Sequence, residues 1–151
     1  MREQSGRSLI EIIGVLAIGA IMVSAVFSMY KTANRQQKRF IANETLSDIA
    51  TKTKTLLEYD GYQPVSVDYL IESGALNNNK APIGTDDWSI TSSVDGTEFS
   101  INLVGLSFDE CAYFTTKKLK WATHINVNGY DSSDGSFCLK TGDNKLSFFV
   151  K

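Results

Sequence analysis

The chain has 151 residues, a formal net charge of −2, two cysteines and one histidine. The near-neutral balance argues against a dedicated nucleic-acid binder, which would carry a basic excess. One histidine and two distant cysteines do not make the usual zinc spacings. With one long apolar segment set aside, about 120 residues remain, enough for a single small domain with its own core.

Met1–Gly6 (MREQSG) is short and polar, and Leu9–Tyr30 follows as a run of 22 largely apolar residues. As helix at about 1.5 Å per residue, the run spans roughly 33 Å, about one hydrocarbon core. It is longer than a secretory h-region of about 7–15 residues, it holds an acid, and no A-x-A site follows it. It therefore reads as a span rather than a signal peptide. The acid is Glu11, and a carboxylate in such a segment is costly enough to mark a function. The other reading is a Glu near the helix end that reaches interfacial water. Ala20, Ser24 and Ser28, with Ala17 nearby, lay a stripe of small residues along one side, a surface on which apolar helices approach closely. Gly14 and Gly19 soften the segment, and it contains no proline.

Charge is unevenly spread. Lys31, Arg35, Lys38 and Arg39 follow the span with no acid among them, whereas residues 41–151 hold 15 acids against 9 lysines, a difference of −6. A basic collar under an acidic head suits a protein that leaves a membrane surface; the alternative is a solvated helix face. Counted by the positive-inside rule, four cations after the span against Arg2 and Arg7 before it lean toward a cytoplasmic head.

Residues 31–60 continue as helix to about Tyr59. Ala42, Leu46, Ile49, Ala50, Leu56 and Leu57 supply the apolar stripe, and Asp60-Gly61 supplies the stop. Residues 61–87 form a connector in which Ser66 caps a short helix, Val67–Ser73, ended by Gly74. Trp88–Val94 and Thr97–Val104 alternate as strands around Asp95-Gly96, a two-residue hairpin signal. Ser107 and Glu110 make a capping box, which starts a helix running from Phe108 to about Trp121. Strands follow near Thr123–Val127, Ser136–Lys140 and Lys145–Val150. This order predicts an α+β fold, with a mainly antiparallel sheet laid on the C-terminal half of a long helix.

No catalytic constellation stands out. There is no phosphate loop, no HExxH, and a single histidine to serve any nucleophile. His124 in a strand reads as a packed or surface residue. Asp131, Asp134 and Gly135 are weak calcium candidates, because the loop lacks the alternating acids of a strong site. Lys117, Lys118, Lys120 and Trp121 could touch nucleic acid, but a solvated helix end with cations near its C-terminus is preferred. Cys111 and Cys138 both follow the span, and an even count outside the cytosol favours one disulfide over two buried thiols. No cofactor is expected.

Gly6, then Arg7-Ser8-Leu9-Ile10-Glu11, then a long apolar helix, resembles the class III leader and N-terminal helix of type IV pilins and pseudopilins. The resemblance covers about the first 30 residues closely and the remainder in outline. It implies cleavage by a prepilin peptidase between Gly6 and Arg7, methylation of the new N-terminus at Arg7, and Glu11 as the hallmark acid. The family's first mature residue is usually apolar; here it is Arg7. A free α-amine one turn before Glu11 implies pairing between a neighbour's amine and the carboxylate, which sets the stagger of subunits. The resemblance divides the chain into a leader (1–6), a transmembrane and assembly helix (7–30), its amphipathic continuation (31–60) and a head (61–151). In the head, the αβ-loop is 61–87 and the D-region is 111–138, as in type IVb pilins. It implies a homo-oligomeric helical filament, with other pilins, the peptidase and the inner-membrane assembly machinery as partners. The precursor would sit in the inner membrane with its N-terminus in the cytoplasm, and the subunit would end in an extracellular pilus. A pseudopilin of a type II secretion system, a minor tip pilin that binds a receptor or DNA, and a membrane-anchored domain that never polymerises are the alternatives.

Overall fold

The computed structural model describes residues 4–131 and 137–151. The chain divides into two units, Met1–Lys38 and Arg39–Lys151. Helix α1, Gln4–Leu57, contributes to both. No proline interrupts it, and Ala, Leu, Met, Gln and Lys are good helix formers. In the first unit every residue from Ser8 to Lys38 is exposed. Its large apolar side chains lie between 55% (Val23) and 73% (Met29) exposed. An 18-residue window of α1 has a mean hydropathy of 2.5, so the helix is long and apolar enough to cross a membrane.

In the second unit, α1 turns one face inward. Ala42, Leu46, Ile49, Ala50, Thr53 and Leu57 are buried, the i, i+4, i+7 spacing of one helix face. Leu56, expected in this stripe, is instead 41% exposed, and Thr53 takes its place. At 100° per residue Leu56 lies too far round from Leu57. Thr53 fits because its hydroxyl donates to the Ile49 carbonyl at 2.8 Å and leaves no unmet donor in the core. The helix ends at Leu57, two residues before the expected Tyr59. Gly61, at φ +77°, then donates its N–H to the Leu57 carbonyl at 3.0 Å.

Helix α2, Val67–Glu72, starts where Ser66 accepts a hydrogen bond from the Tyr69 N–H at 3.1 Å. The sheet comprises β1 (Ser89–Ser92), β2 (Phe99–Leu106), β3 (His124–Val127), β4 (Tyr130–Asp131) and β5 (Asn144–Val150). Its order is β1-β2-β5-β3-β4, with every neighbour antiparallel. The C-terminal strand is thus central. Its alternation sends Leu146, Phe148 and Val150 inward beside Phe99, Ile101 and Leu103 of β2. These share one core with the buried face of α1, with Leu70 of α2 and with Phe114 of α3 (Phe108–Thr116).

Four expectations are corrected. First, β1 and β2 are joined by four residues, 94–97, rather than by a two-residue turn: Ser93 and Glu98 still pair at 2.9 Å, and Gly96 takes φ +68°. The Asp95 carboxylate accepts bonds from the Ser93 hydroxyl and from the Thr97 amide and hydroxyl, which hold its carboxyl below the usual range. Second, Val94 at the loop tip is wholly exposed and not part of the alternation. Third, α3 stops at Thr116 rather than near Trp121, with Lys117 extended. The Thr115 and Thr116 hydroxyls bond back to the Cys111 and Ala112 carbonyls at 2.9 and 2.6 Å in the last turn. The chain then turns so that Leu119 is buried and Trp121 reaches Phe148 at 5.2 Å.

Fourth, Phe137–Lys140 forms no strand, and Ser136 lies outside the described residues. The strand beside β3 is β4, joined to it by Asn128 (φ 51°) and Gly129 (φ 90°), a two-residue turn of the type that suits strand twist. Instead of a ladder, Phe137–Lys140 is held by the side chain of Asn144. That side chain is fully buried. Its oxygen accepts from the Leu139 N–H at 2.6 Å and from the Asn128 amide at 3.1 Å. Its nitrogen donates to the carbonyls of Leu139 and Leu106 at 3.1 and 3.2 Å. Asn128 completes the clasp, donating to the Phe137 carbonyl at 2.8 Å and accepting from the Lys145 N–H at 2.9 Å. Removing Asn144 strands the buried Leu106 carbonyl, at about 1–3 kcal/mol, and deprives the half-buried Leu139 N–H and carbonyl of their partner. Asn144→Ala is expected to lower stability by about 2–4 kcal/mol in urea unfolding of the full chain followed by tryptophan fluorescence. Asn102→Ala, which loses only outward-facing bonds to Ser89 and Thr91, should cost under about 1 kcal/mol.

Candidate functional site

Glu11 sits in the apolar stretch of α1, where Ser8, Glu11, Ile12, Val15 and Leu16 line one shallow surface. These are i−3 to i+5 neighbours on one side of the helix, so the carboxylate is set among aliphatic side chains and one hydroxyl. The Gly6–Arg7 bond lies about one turn earlier in the same helix.

The second expected site does form within the chain. Cys111 on α3 and Cys138 make a disulfide, with Cα atoms 5.9 Å apart, so the reading with two free thiols is set aside. The bridge spans β3 and β4. Tyr113, two residues beyond Cys111, lies between two cations. The Arg39 guanidinium is 5.5 Å from its ring centre, and the Lys117 ammonium is 5.2 Å from it. The Lys117 ammonium also donates to the Tyr113 hydroxyl at 2.9 Å, and Arg39 reaches the Asp109 carboxylate at 3.8 Å.

The basic group weighed for nucleic acid is therefore partly engaged. Lys117 is turned onto Tyr113, and Trp121 packs on Phe148 while its N–H points to the Asn43 side chain at 3.5 Å. Lys118 and Lys120 remain exposed. His124 stacks on Phe149 across the sheet at 4.1 Å, a packed residue as expected. It also lines a cleft of about 550 Å³ with Lys117, Lys118 and Asp131. Asp131 is exposed on β4, and Asp134 lies outside the described residues. Among the described residues no three His, Cys, Asp or Glu side chains cluster as metal ligands would.

Asn128 and Asn144 organise this region, and neither was expected to. The Asn-Gly dipeptide at 128–129 is a strong hairpin signal that was legible in the sequence. Asn144 carried no such mark, because its partners lie on three other segments.

No family model matches the chain, and no curated protein matches it in sequence. Among solved structures, TcpA, a type IV pilin from Vibrio cholerae El Tor biotype, matches with a TM-score of 0.61 at 15% identity. The match covers 76% of this chain and 99% of that one. The fold is that of a type IV pilin. The long apolar helix, the small antiparallel sheet and the C-terminal disulfide are the parts of the pilin fold seen here.

The bridge closes a long loop that contains β3 and β4, and by tying its ends it restricts the unfolded chain. Chain entropy gives about 3.5 kcal/mol for a loop of this length, with 27 residues of sequence separation. The double variant Cys111→Ser/Cys138→Ser is expected to lose about that much in denaturant unfolding. Adding reductant to the double variant should then change nothing further.

Proposed function

We propose that this chain is the structural subunit of a type IV pilus, of the type IVb kind, and that it works by assembly rather than catalysis. One observation carries the reading: a head with the pilin fold shares its core helix, α1, with a stretch that is apolar and exposed on every side. Such a stretch is stable only in lipid or against other apolar helices. The subunit's life supplies both in turn. It begins as a single-pass precursor in the inner membrane, N-terminus in the cytoplasm, and is drawn into a helical filament of like subunits by the inner-membrane assembly machinery. The disulfide suits a head outside the cytosol.

Prepilin peptidase cleaves between Gly6 and Arg7, releasing residues 1–6, and the α-amine of Arg7 is methylated. Residues 7–30 then serve as the assembly helix, residues 31–60 as its continuation, and residues 61–151 as the head. In the filament, Glu11 of one subunit faces the N-terminal amine of a neighbour. An unpaired carboxylate in a bundle of aliphatic side chains is expensive, whereas a paired one is much less so. Subunits that settle in the register pairing the two charges are therefore favoured over those that slip.

Two measurements test this. Intact mass of the mature protein should show loss of Met1–Gly6 and gain of one methyl group; a full-length chain at the filament would refute the processing step. Glu11→Ala should leave the head folded and disulfide-bonded. It should cut surface filaments about tenfold or more, since even ~1.4 kcal/mol lost per contact is a factor of ten. Normal filament yield from that variant would remove the pairing role.

A further inference from the structure

Asn128-Gly129 is the one Asn-Gly step in the chain. Beyond its use as a turn, this dipeptide carries a chemistry of its own. The backbone nitrogen of the next residue can attack an asparagine side-chain carbonyl, and glycine, with no Cβ, obstructs that approach least. The nucleophile's side is open here. Gly129 is exposed, and among the described residues nothing lies within 4 Å of where its Cβ would stand. The electrophile's side is held. The Asn128 amide donates to the Phe137 carbonyl at 2.8 Å and to the Asn144 side-chain oxygen at 3.1 Å, and it accepts from the Lys145 N–H at 2.9 Å.

We propose that Asn128 is a deamidation site gated by the clasp, and that its conversion releases the loop 137–143. The Gly129 nitrogen forms a bond to Asn128 Cγ as the Cγ–Nδ2 bond breaks. The Gly129 amide proton leaves with the departing NH2 as ammonia, and a cyclic succinimide remains. Water then opens the ring at either carbonyl, to aspartate or to isoaspartate. Loss of ammonia makes the change one-way. The gate is geometric. To bring Cγ onto the Gly129 nitrogen, the side chain must swing out of its hydrogen bonds to Phe137, Asn144 and Lys145 together. Bonds lost together in this way leave the closed state favoured on the order of 100-fold, so the reaction runs through opened molecules.

The product does not fit the closed clasp. Where the amide nitrogen donates, aspartate places an oxygen, set against the oxygens of Phe137 and Asn144 at the same 2.8 and 3.1 Å spacings. A carboxylate has no proton to offer them. Isoaspartate lengthens the backbone by one carbon inside a turn that closes with Val127 opposite Tyr130. With either product the Phe137 carbonyl and the Asn144 side chain lose a donor, and the loop loses its hold.

The disulfide sets how often the gate opens. Cys138 lies between Phe137 and Leu139, the two residues that the clasp holds, so its bond to Cys111 limits how far they can leave. A chain whose bridge is unmade opens more often, deamidates sooner and then cannot reclose. Asn128 thus turns a missing bridge into a permanent mark on the subunit.

The test incubates the full chain, in detergent and with its disulfide formed, in warm and mildly alkaline buffer. Peptide mapping by mass spectrometry reads the replacement of NH2 by OH at residue 128. The folded chain should convert on the order of 100-fold more slowly than the same chain unfolded in urea. Equal rates would overturn the gating, and no conversion in the unfolded chain would overturn the site itself. Cys111→Ser/Cys138→Ser should convert about tenfold faster than the folded wild type or more; a wild-type rate would overturn the coupling to the bridge. Release of the loop is read separately, by trypsin cleavage after the exposed Lys140. Asn128→Asp should be cut about tenfold faster than wild type or more. Asn102→Asp, which adds the same charge on β2 outside the clasp, should be cut at the wild-type rate. Wild-type cleavage of Asn128→Asp would overturn the release, and equally fast cleavage of Asn102→Asp would show an effect of charge alone and overturn it too.

Discussion

The stretch of α1 from Leu9 to Tyr30 cannot be at rest in water. Its aliphatic side chains point in every direction around the helix, and each Leu, Ile or Val left exposed forgoes about 1.5–3 kcal/mol of burial. The segment is long and apolar enough to cross a membrane, and in any apolar medium the carboxylate of Glu11 would be its costliest group. The same helix changes character past Lys38. There its apolar residues narrow to a single stripe, from Ala42 to Leu57, and one face suffices to bury them.

The head answers that stripe with a sheet whose central strand, β5, comes after the other four in sequence and lies between β2 and β3. Among the described residues between β4 and β5, 137–143, the chain follows no ladder. Order there comes from two side-chain devices. The Cys111–Cys138 bridge ties the segment to α3, and the Asn128–Asn144 clasp satisfies its backbone groups one by one. A buried amide with all its donors and acceptors met rigidifies a loop, whereas a half-met one would destabilise it. The connector before the sheet is seated by a different means: Gly84 and Gly105 take φ of +88° and +72° where a Cβ would strike the Val104 carbonyl and the Thr85 side chain. The two backbones meet there through the Thr85 N–H and the Val104 carbonyl at 2.9 Å.

Charge is arranged along the same axis as hydrophobicity. Cations gather directly after the apolar stretch, and acids predominate beyond it. Arg39 stands at the division between the two units and is the cation the head has claimed, through Asp109 and Tyr113. Those before it belong to the first unit, directly after the apolar stretch.

The features legible in the sequence were those with local causes. The span follows from a run of apolar residues, the inner stripe of α1 from a 3.6-residue period, and the starts of α2 and α3 from Ser66 and from the Ser107–Glu110 capping box. The central strand follows from the alternation of Leu146, Phe148 and Val150. The Gly6–Glu11 pattern is likewise a local one, and the processing and register proposed for it rest on that pattern alone. Tertiary structure decided what depends on residues far apart. Thr53 replaced Leu56 in the core because the sheet meets that angle of the helix. The expected helix to Trp121 stopped at Thr116 because Leu119 and Trp121 had apolar partners to reach across the head. The expected strand at 136–140 gave way, because Asn144 met the hydrogen bonds of Leu139 more fully than an edge ladder would. A period or a cap is written in neighbouring letters; a buried amide shared among four segments exists only once those segments have met.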